Sequence, residues 1–278
     1  MIRASARPAA GHTPCRTEPP RDGIANGHLE KAHALLGSRP APPVRQRLGH
    51  SEAIARHTHS ESYTTLILAG SYEEAGELGR RTLKTGDVVV HDGFASHCNR
   101  VGPRGVVLLN LPVPGLAGGF GRLAEFERIA GLAERDPVSA CFEIAEGFVS
   151  VPPTLEDWPD LLARDLLSDP KVELSFWAAS NALSAETLSR GFRQVYGIAP
   201  RCFRREVKTR RALSMLRSDT GENLAGVALA CGFTDQAHMT HAVRALTGMT
   251  PAECRRSTRY NRPQASDVMT GRCREDRS

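Results

Sequence analysis

One pattern occurs twice in the last third of this 278-residue chain and constrains its folding more than any other feature. The first copy is Leu174-Ser-Phe-Trp-Ala-Ala-Ser-Asn-Ala-Leu-Ser-Ala-Glu-Thr-Leu-Ser-Arg-Gly-Phe-Arg193. The second is Leu224-Ala-Gly-Val-Ala-Leu-Ala-Cys-Gly-Phe-Thr-Asp-Gln-Ala-His-Met-Thr-His-Ala-Val-Arg244. Each reads as a short apolar helix, a tight turn, a polar N-cap and a second helix with a polar outer face, the form of a helix-turn-helix.

Ser184 suits the N-cap of a helix over Ala185–Tyr196. Leu188, Phe192 and Val195 fall on one stripe of it, and Gly197 can end it in the left-handed conformation. A long helix from Pro200 to about Arg217 follows. It turns Phe203, Val207, Ala212, Leu213 and Leu216 inward and carries Arg204, Arg205, Lys208, Arg210 and Arg211. In the second copy Leu224, Val227, Ala228 and Ala230 are apolar, Cys231-Gly232 makes the turn, and Thr234 or Asp235 caps the next helix. There Met239, Ala242, Val243 and Leu246 point to a core, Gly248 ends the helix, and Pro251 prevents its continuation. Generic helical bundles share such stripes; the paired turns and polar outer faces favour the more specific reading.

Charge points the same way. Residues 169–259 hold 14 Lys/Arg against 8 Asp/Glu, while residues 1–168 hold 18 against 20. The excess in the repeated segment suits a polyanion, because Lys and Arg release phosphate counterions; by charge alone a solvated basic surface is an equal reading. No apolar run reaches membrane-spanning length, and the N-terminus lacks the apolar stretch of a secretory signal. Seven scattered cysteines without a Cys-x-x-Cys read as reduced thiols of a cytoplasmic protein.

Residues 172–256 resemble the DNA-binding domain of the AraC/XylS family of bacterial transcription regulators. The matching stretches are Leu183-Ser-x-x-x-Leu-Ser-Arg-x-Phe192, Tyr196-Gly-Ile-Ala-Pro200, Val227-Ala-Leu-Ala-Cys-Gly-Phe-Thr-Asp-Gln-Ala-His238 and Thr247-Gly-x-Thr-Pro251. The resemblance implies seven helices, with the long one joining two subdomains and two recognition helices entering successive major-groove segments of double-stranded DNA. The contacts it implies are Ala185, Glu186, Ser189, Arg190 and Arg193 on the first helix. On the second they are Asp235, Gln236, His238, Thr240, His241 and Arg244. Arg190 or Arg193 suits guanine and Gln236 suits adenine, although most contacts of such helices go to the backbone. Glu186 and Asp235 also favour a helix N-terminus without any DNA. His241 stands where the family often has Arg, and Val243 where it often has Phe, which leaves the sequence preference of the second unit open.

The N-terminal part reads differently. Residues 1–40 are rich in Pro, Gly, Ala and Arg and suggest a disordered extension. Over 41–115, Tyr63–Ala69, Val88–His91 and Val106–Leu111 are short strands separated by Gly-centred turns, which suggests an all-β barrel or sandwich. His57-Thr-His59, with Gly86-Asp-Val-Val-Val-His-Asp-Gly-Phe-Ala-Ser-His97, resembles the two motifs of the cupin fold. That resemblance implies a barrel in which His57, His59 and His97 converge on a divalent ion such as zinc, iron or manganese. The family's carboxylate falls near Tyr63 or Thr64, neither of which is acidic; Glu73, Glu74 or His91 could substitute. Equally, these histidines can be polar pocket or surface residues. Cys98 faces away from His97 if the segment is extended. From Gly121 the period becomes 3.6: Leu123, Phe126, Ile129, Ala130 and Ala133 share a face, a second helix follows Asp136-Pro137, and a third runs through 155–167.

The expected fold class is therefore α+β multidomain: a cupin-like β-barrel at 41–115, a helical linker or dimerisation segment at 120–168, an all-α double helix-turn-helix domain at 169–259 and a disordered tail at 260–278. The expected function is a sequence-specific transcription regulator, not an enzyme, whose N-terminal domain senses a small molecule or metal. RNA polymerase and a second copy of the chain are further partners to consider, and no membrane is expected. The alternative is a metal-dependent cupin dioxygenase or isomerase with an appended helical module. The missing carboxylate and the lack of a nucleophile–base constellation argue against it.

Overall fold

The computed structural model describes residues 44–260 except 114, 115, 153, 155, 156, 219 and 220. The expected N-terminal extension and most of the expected tail lie outside them. Eight strands come first: β1 (Val44–Leu48), β2 (Ala53–Thr58), β3 (Tyr63–Gly76), β4 (Gly79–Lys84), β5 (Asp87–His91), β6 (Ser96–Leu111), β7 (Gly119–Arg122) and β8 (Val149–Ser150). Between β7 and β8 lie helices α1 (Phe126–Arg135) and α2 (Pro137–Gly147). Then follow α3 (Trp158–Ser168), α4 (Leu174–Ser180), α5 (Ala185–Tyr196), α6 (Pro200–Arg217), α7 (Leu224–Ala230), α8 (Gln236–Thr247) and α9 (Pro251–Tyr260).

The strands form one antiparallel sheet in the order β1-β6-β3-β5-β7-β8, with β2 also on β6 and β4 also on β3. The long strands β3 and β6 make this possible, because each half of each pairs with a different neighbour. Their shared ladder shifts register around Gly70, which pairs with Val106 at a φ of +78° and lies against the backbone of Gly105, at +74°. Residues alternate across the sheet. Leu66, Val88, Leu109 and Leu111 pack against Phe126, Ile129, Ala133 and Ile144 of α1 and α2, while Ile67, Val89, Leu108 and Phe120 fill a second core. The expected cupin-like barrel is corrected in one respect: the sheet is not closed. The last strand, β8, is two exposed residues paired only with β7, and α1 and α2 cover the face that further strands would have enclosed.

Two helical cores complete the molecule. Leu162, Ala163 and Leu166 of α3 pack with Trp177, Leu188, Phe192, Tyr196, Phe203 and Val207. Thus α3, grouped with the linker on sequence, packs into the first helix-turn-helix unit, so that 158–260 contains the seven helices implied for the DNA-binding domain. The second core joins Ala212, Leu213 and Leu216 of α6 to Val227, Ala228, Phe233, Met239, Val243 and Cys254. Both cores hang on α6, which makes it the bridge.

The helix ends follow the expected chemistry. The Ser184 hydroxyl accepts from the Thr187 N–H at 3.1 Å, and Asn223 caps α7 by accepting from Gly226 at 2.8 Å. Asp235, rather than Thr234, caps α8 by accepting from His238 at 2.8 Å. Gly197 and Gly248 close α5 and α8 at φ near +75°. Among the described residues no helix is long and apolar enough to cross a membrane, and Cys98, Cys141, Cys231 and Cys254 are free thiols.

Candidate nucleic-acid interface and imidazole cluster

The outer faces of α5 and α8 carry the residues the sequence singled out. Ala185, Glu186, Arg190 and Arg193 are exposed and Ser189 half-buried; Asp235, Gln236, His238, His241 and Arg244 are exposed and Thr240 half-buried. Glu186, Ser189, Arg190 and Arg193 line one shallow depression with Gln194, which periodicity alone did not single out. Several of these groups already have local work. Glu186 and Arg190 pair one turn apart at 3.3 Å. The cap bond to His238, with the Thr234 hydroxyl, holds the Asp235 carboxyl below its ordinary range. Thr240 donates back to the Gln236 carbonyl at 2.9 Å, and His238 stands edge-on to Phe233 while meeting Thr234 at 3.1 Å. The side chains of Gln236, His241 and Arg244 project without a hydrogen bond among the described residues.

Between the units runs a basic groove of about 280 Å³, walled by Arg201, Arg204, Arg205 and Lys208, floored by Phe233 and rimmed by His238 of α8. The four cations lie at i, i+3, i+4 and i+7 and so share one side of α6. Burial, then Arg204 and Lys171 nearby, push the Lys208 ammonium below its ordinary range. No carboxylate lines the groove. Toward the sheet α6 is instead neutralised: Glu206 binds Arg56 at 2.7 Å, and Arg210 binds Glu77 at 2.5 Å.

Inside the sheet, His57 and His59 from β2 and the turn after it meet His97 from β6, each offering a ligand atom within 4.8 Å of the others. Glu74 of β3 and His91 of β5 form a second such trio with the same His97, all three buried. His91 Nε2 lies 3.0 Å from Glu74 Oε1, and Asn99 donates to Glu74 Oε2 at 3.1 Å. His57 Nδ1 meets the Ala55 carbonyl at 2.8 Å, which fixes a tautomer with Nε2 free toward the cluster. The Nδ1 atoms of His91 and His97 are buried with no hydrogen-bond partner. Burial lowers all three outer imidazoles, His59 to about 4 with further repulsion from its neighbours. Burial pushes the Glu74 carboxyl up, but His91 and His97 outweigh it and hold the group below its ordinary range. The lowered imidazoles of His57, His59 and His97, with the ionised Glu74 carboxylate beside them, are a donor set for a borderline divalent cation.

The carboxylate that the fold brings to His97 is Glu74, 11 residues beyond Tyr63, where pairing of β3 with β6 sets Glu74 opposite Asn99. Sequence spacing could offer Glu74 only as one of three substitutes. Tyr63 instead stacks on His91, 4.4 Å between centroids.

The sheet is one residue thick between this cluster and the first helix-turn-helix unit. His57, Glu74 and His97 point to one side; their chain neighbours Arg56, Ala75 and Cys98 point to the other. Arg56 Nη1 donates to the Tyr196 carbonyl at 3.2 Å, Cys98 Sγ meets the Val195 carbonyl at 3.5 Å, and Ala75 joins the core of that unit. Cys98 does face away from His97, as alternation predicts.

Comparison with known proteins places the helical part. A family profile described as a helix-turn-helix domain matches residues 177–257. No curated protein matches the chain. Among solved structures, the chain is similar to fatty-acid-bound ToxT of Vibrio cholerae, with 10% identity over 76% of this chain and 93% of that one, and a TM-score of 0.36. The DNA-binding domain of AdpA in complex with target DNA shares 25% identity over 39% of this chain and 99% of its own, with a TM-score of 0.37. A probable AraC family regulator from Rhodopseudomonas palustris shares 20% over 35% and 93%, with a TM-score of 0.33.

Proposed function

We propose that this chain, whose residues 177–257 are an AraC-type helix-turn-helix domain, is a transcription regulator that binds double-stranded DNA through α5 and α8 and senses a ligand at its imidazole cluster. The observation that carries the reading is the pair of capped, polar-faced helices held on opposite ends of one bridging helix. At 18 residues, α6 spans about 27 Å, so it keeps the two units apart, as helices that enter successive major-groove segments require. Arg190, Arg193, Gln236 and Arg244 are the side chains best placed to reach base edges. Arg201, Arg204 and Arg205 extend the surface between them and suit the intervening phosphates.

For the ligand, the donors fit a divalent transition cation held by His57, His59 and His97, with the Glu74–His91 pair meeting the same His97 alongside. The support is the orphaned buried imidazole nitrogens and the fixed His57 tautomer. Such an ion would supply positive charge where His91 now partners Glu74. Since the same strands touch α5 on their outer side, occupancy can bias how the first unit sits, by whatever difference in affinity the two arrangements have.

The test is selection from a random pool of duplexes with the purified full chain, followed by salt titration. Enrichment of a sequence with two half-sites about one helical turn apart is expected. The Arg201→Ala variant should weaken every duplex alike and flatten the log–log salt slope by about one unit. A pool that returns without enrichment, and with no salt-dependent retention, would sink the reading. Titration with zinc, manganese or ferrous ion, followed by calorimetry, tests the cation part; it fails if His59→Ala binds as the wild type does.

A further inference from the structure

The loop between β5 and β6 leaves the sheet and enters the DNA-binding domain. Phe94 has φ of +64°, a left-handed conformation uncommon for a bulky side chain. Its ring is only 8% exposed and belongs to the core of the second helix-turn-helix unit, among Leu213, Leu216, Val227 and Met239. No other described residue of the sheet domain belongs to that core. The Arg217 guanidinium lies 5.3 Å over the ring, within cation–π range. Two residues back, Asp92 approaches Arg210 at 3.4 Å. The loop is tied to the imidazole cluster through its backbone: the Phe94 N–H donates to the His59 carbonyl at 2.7 Å, and the Gly93 N–H donates to Ser62 Oγ at 3.0 Å.

A backbone held in a sparsely populated region persists only where its surroundings over-determine it, and such sites cluster at switches. Here the surroundings belong to two domains. Seated, the loop fixes the second unit to the sheet and engages Arg217, an exposed arginine at the end of α6. We propose that Phe94 is an autoinhibitory latch: its ring restrains the second helix-turn-helix unit and holds Arg217 against the loop, until movement at His59 draws it out. The latch rests on the duplex-binding reading for its effect on DNA, but not for its effect on the second unit.

The full-length Phe94→Ala variant tests it with two readouts. Amide exchange over residues 224–257 should quicken about tenfold, because the unit loses an anchor. Affinity for a mixed-sequence duplex should rise about fivefold, with a salt slope steeper by about one unit as Arg217 is freed. Phe94→Leu refills the apolar slot and should return exchange toward wild type. Asp92→Asn, which leaves the apolar plug in place and Arg210 still held by Glu77, should leave both readouts at the wild-type level. Unchanged exchange in Phe94→Ala overturns the latch, as does duplex binding that is equal or weaker. Should neither wild type nor variant bind duplex at low salt, the DNA-binding reading falls, and exchange alone then decides whether the ring restrains the second unit.

Discussion

Tyr196 closes the recognition helix of the first unit with its ring fully buried and stacked on Phe192. Its hydroxyl donates to Asp160 Oδ1 at 2.9 Å, and Asp160 in turn binds Arg80 of β4 at 3.0 Å. One phenol thus joins α5, α3 and the sheet. Removing the hydroxyl leaves buried charges short of a donor, so Tyr196→Phe should cost about 1–2 kcal/mol in urea unfolding; a loss within error would show the network to be dispensable. Glu77 behaves in the opposite way. Burial lifts its carboxyl to about 7 against the pull of Arg210. Because the folded pKa lies above the unfolded one, near 4.5, the folded state binds more protons in that window. The contribution of Glu77 is therefore complete below about 4.5 and is lost as pH rises through about 7. Between pH 5 and pH 8 wild type should lose on the order of 1–3 kcal/mol more than Glu77→Gln; parallel pH profiles for the two proteins would refute this. Neither effect was legible in the sequence. The periodicity placed Val195 in the buried stripe with Leu188 and Phe192, and Val195 is partly buried, but only packing shows that Tyr196 goes deeper.

The elements themselves depend on a few positions where the backbone leaves no choice. At Gly70 a Cβ would lie 2.0 Å from the Gly105 carbonyl oxygen, at a positive φ. The bend that lets β3 and β6 serve both halves of the sheet needs that approach. Gly86 also has positive φ, +91°, but open space around it. Gly70→Ala should therefore cost about 3 kcal/mol or more, and Gly86→Ala only about 1; thermal melts giving the two equal losses would contradict the close approach. The strands and helices themselves were readable from alternation, from the 3.6 period and from the caps at Ser184 and Gly197. The open edge of the sheet was not, since motif spacing implies a barrel whether or not the last strand is long enough to close it.

At the scale of the whole molecule, α3 packs with the helical units rather than with α1 and α2. Leu162, Ala163 and Leu166 fill the first helical core, so a fragment starting at residue 158 should unfold at clearly higher urea than one starting at residue 172. Burial of leucine side chains of that size is worth roughly 2 kcal/mol each, and equal midpoints would return α3 to the linker. By itself the sequence determined the paired helix-turn-helix units, their caps and their bridge, through local periodicity and turn chemistry. The candidate contact residues and the meeting of His57, His59 and His97 came from resemblance to known families, not from any local pattern. Tertiary structure decided which acid joins the histidines, which helix completes the first unit and where the two domains touch. Glu74 reaches His97 through strand pairing, and Phe94 reaches Leu213 through a loop that crosses between domains. Contacts of that kind join residues distant in the chain, and no local pattern records them.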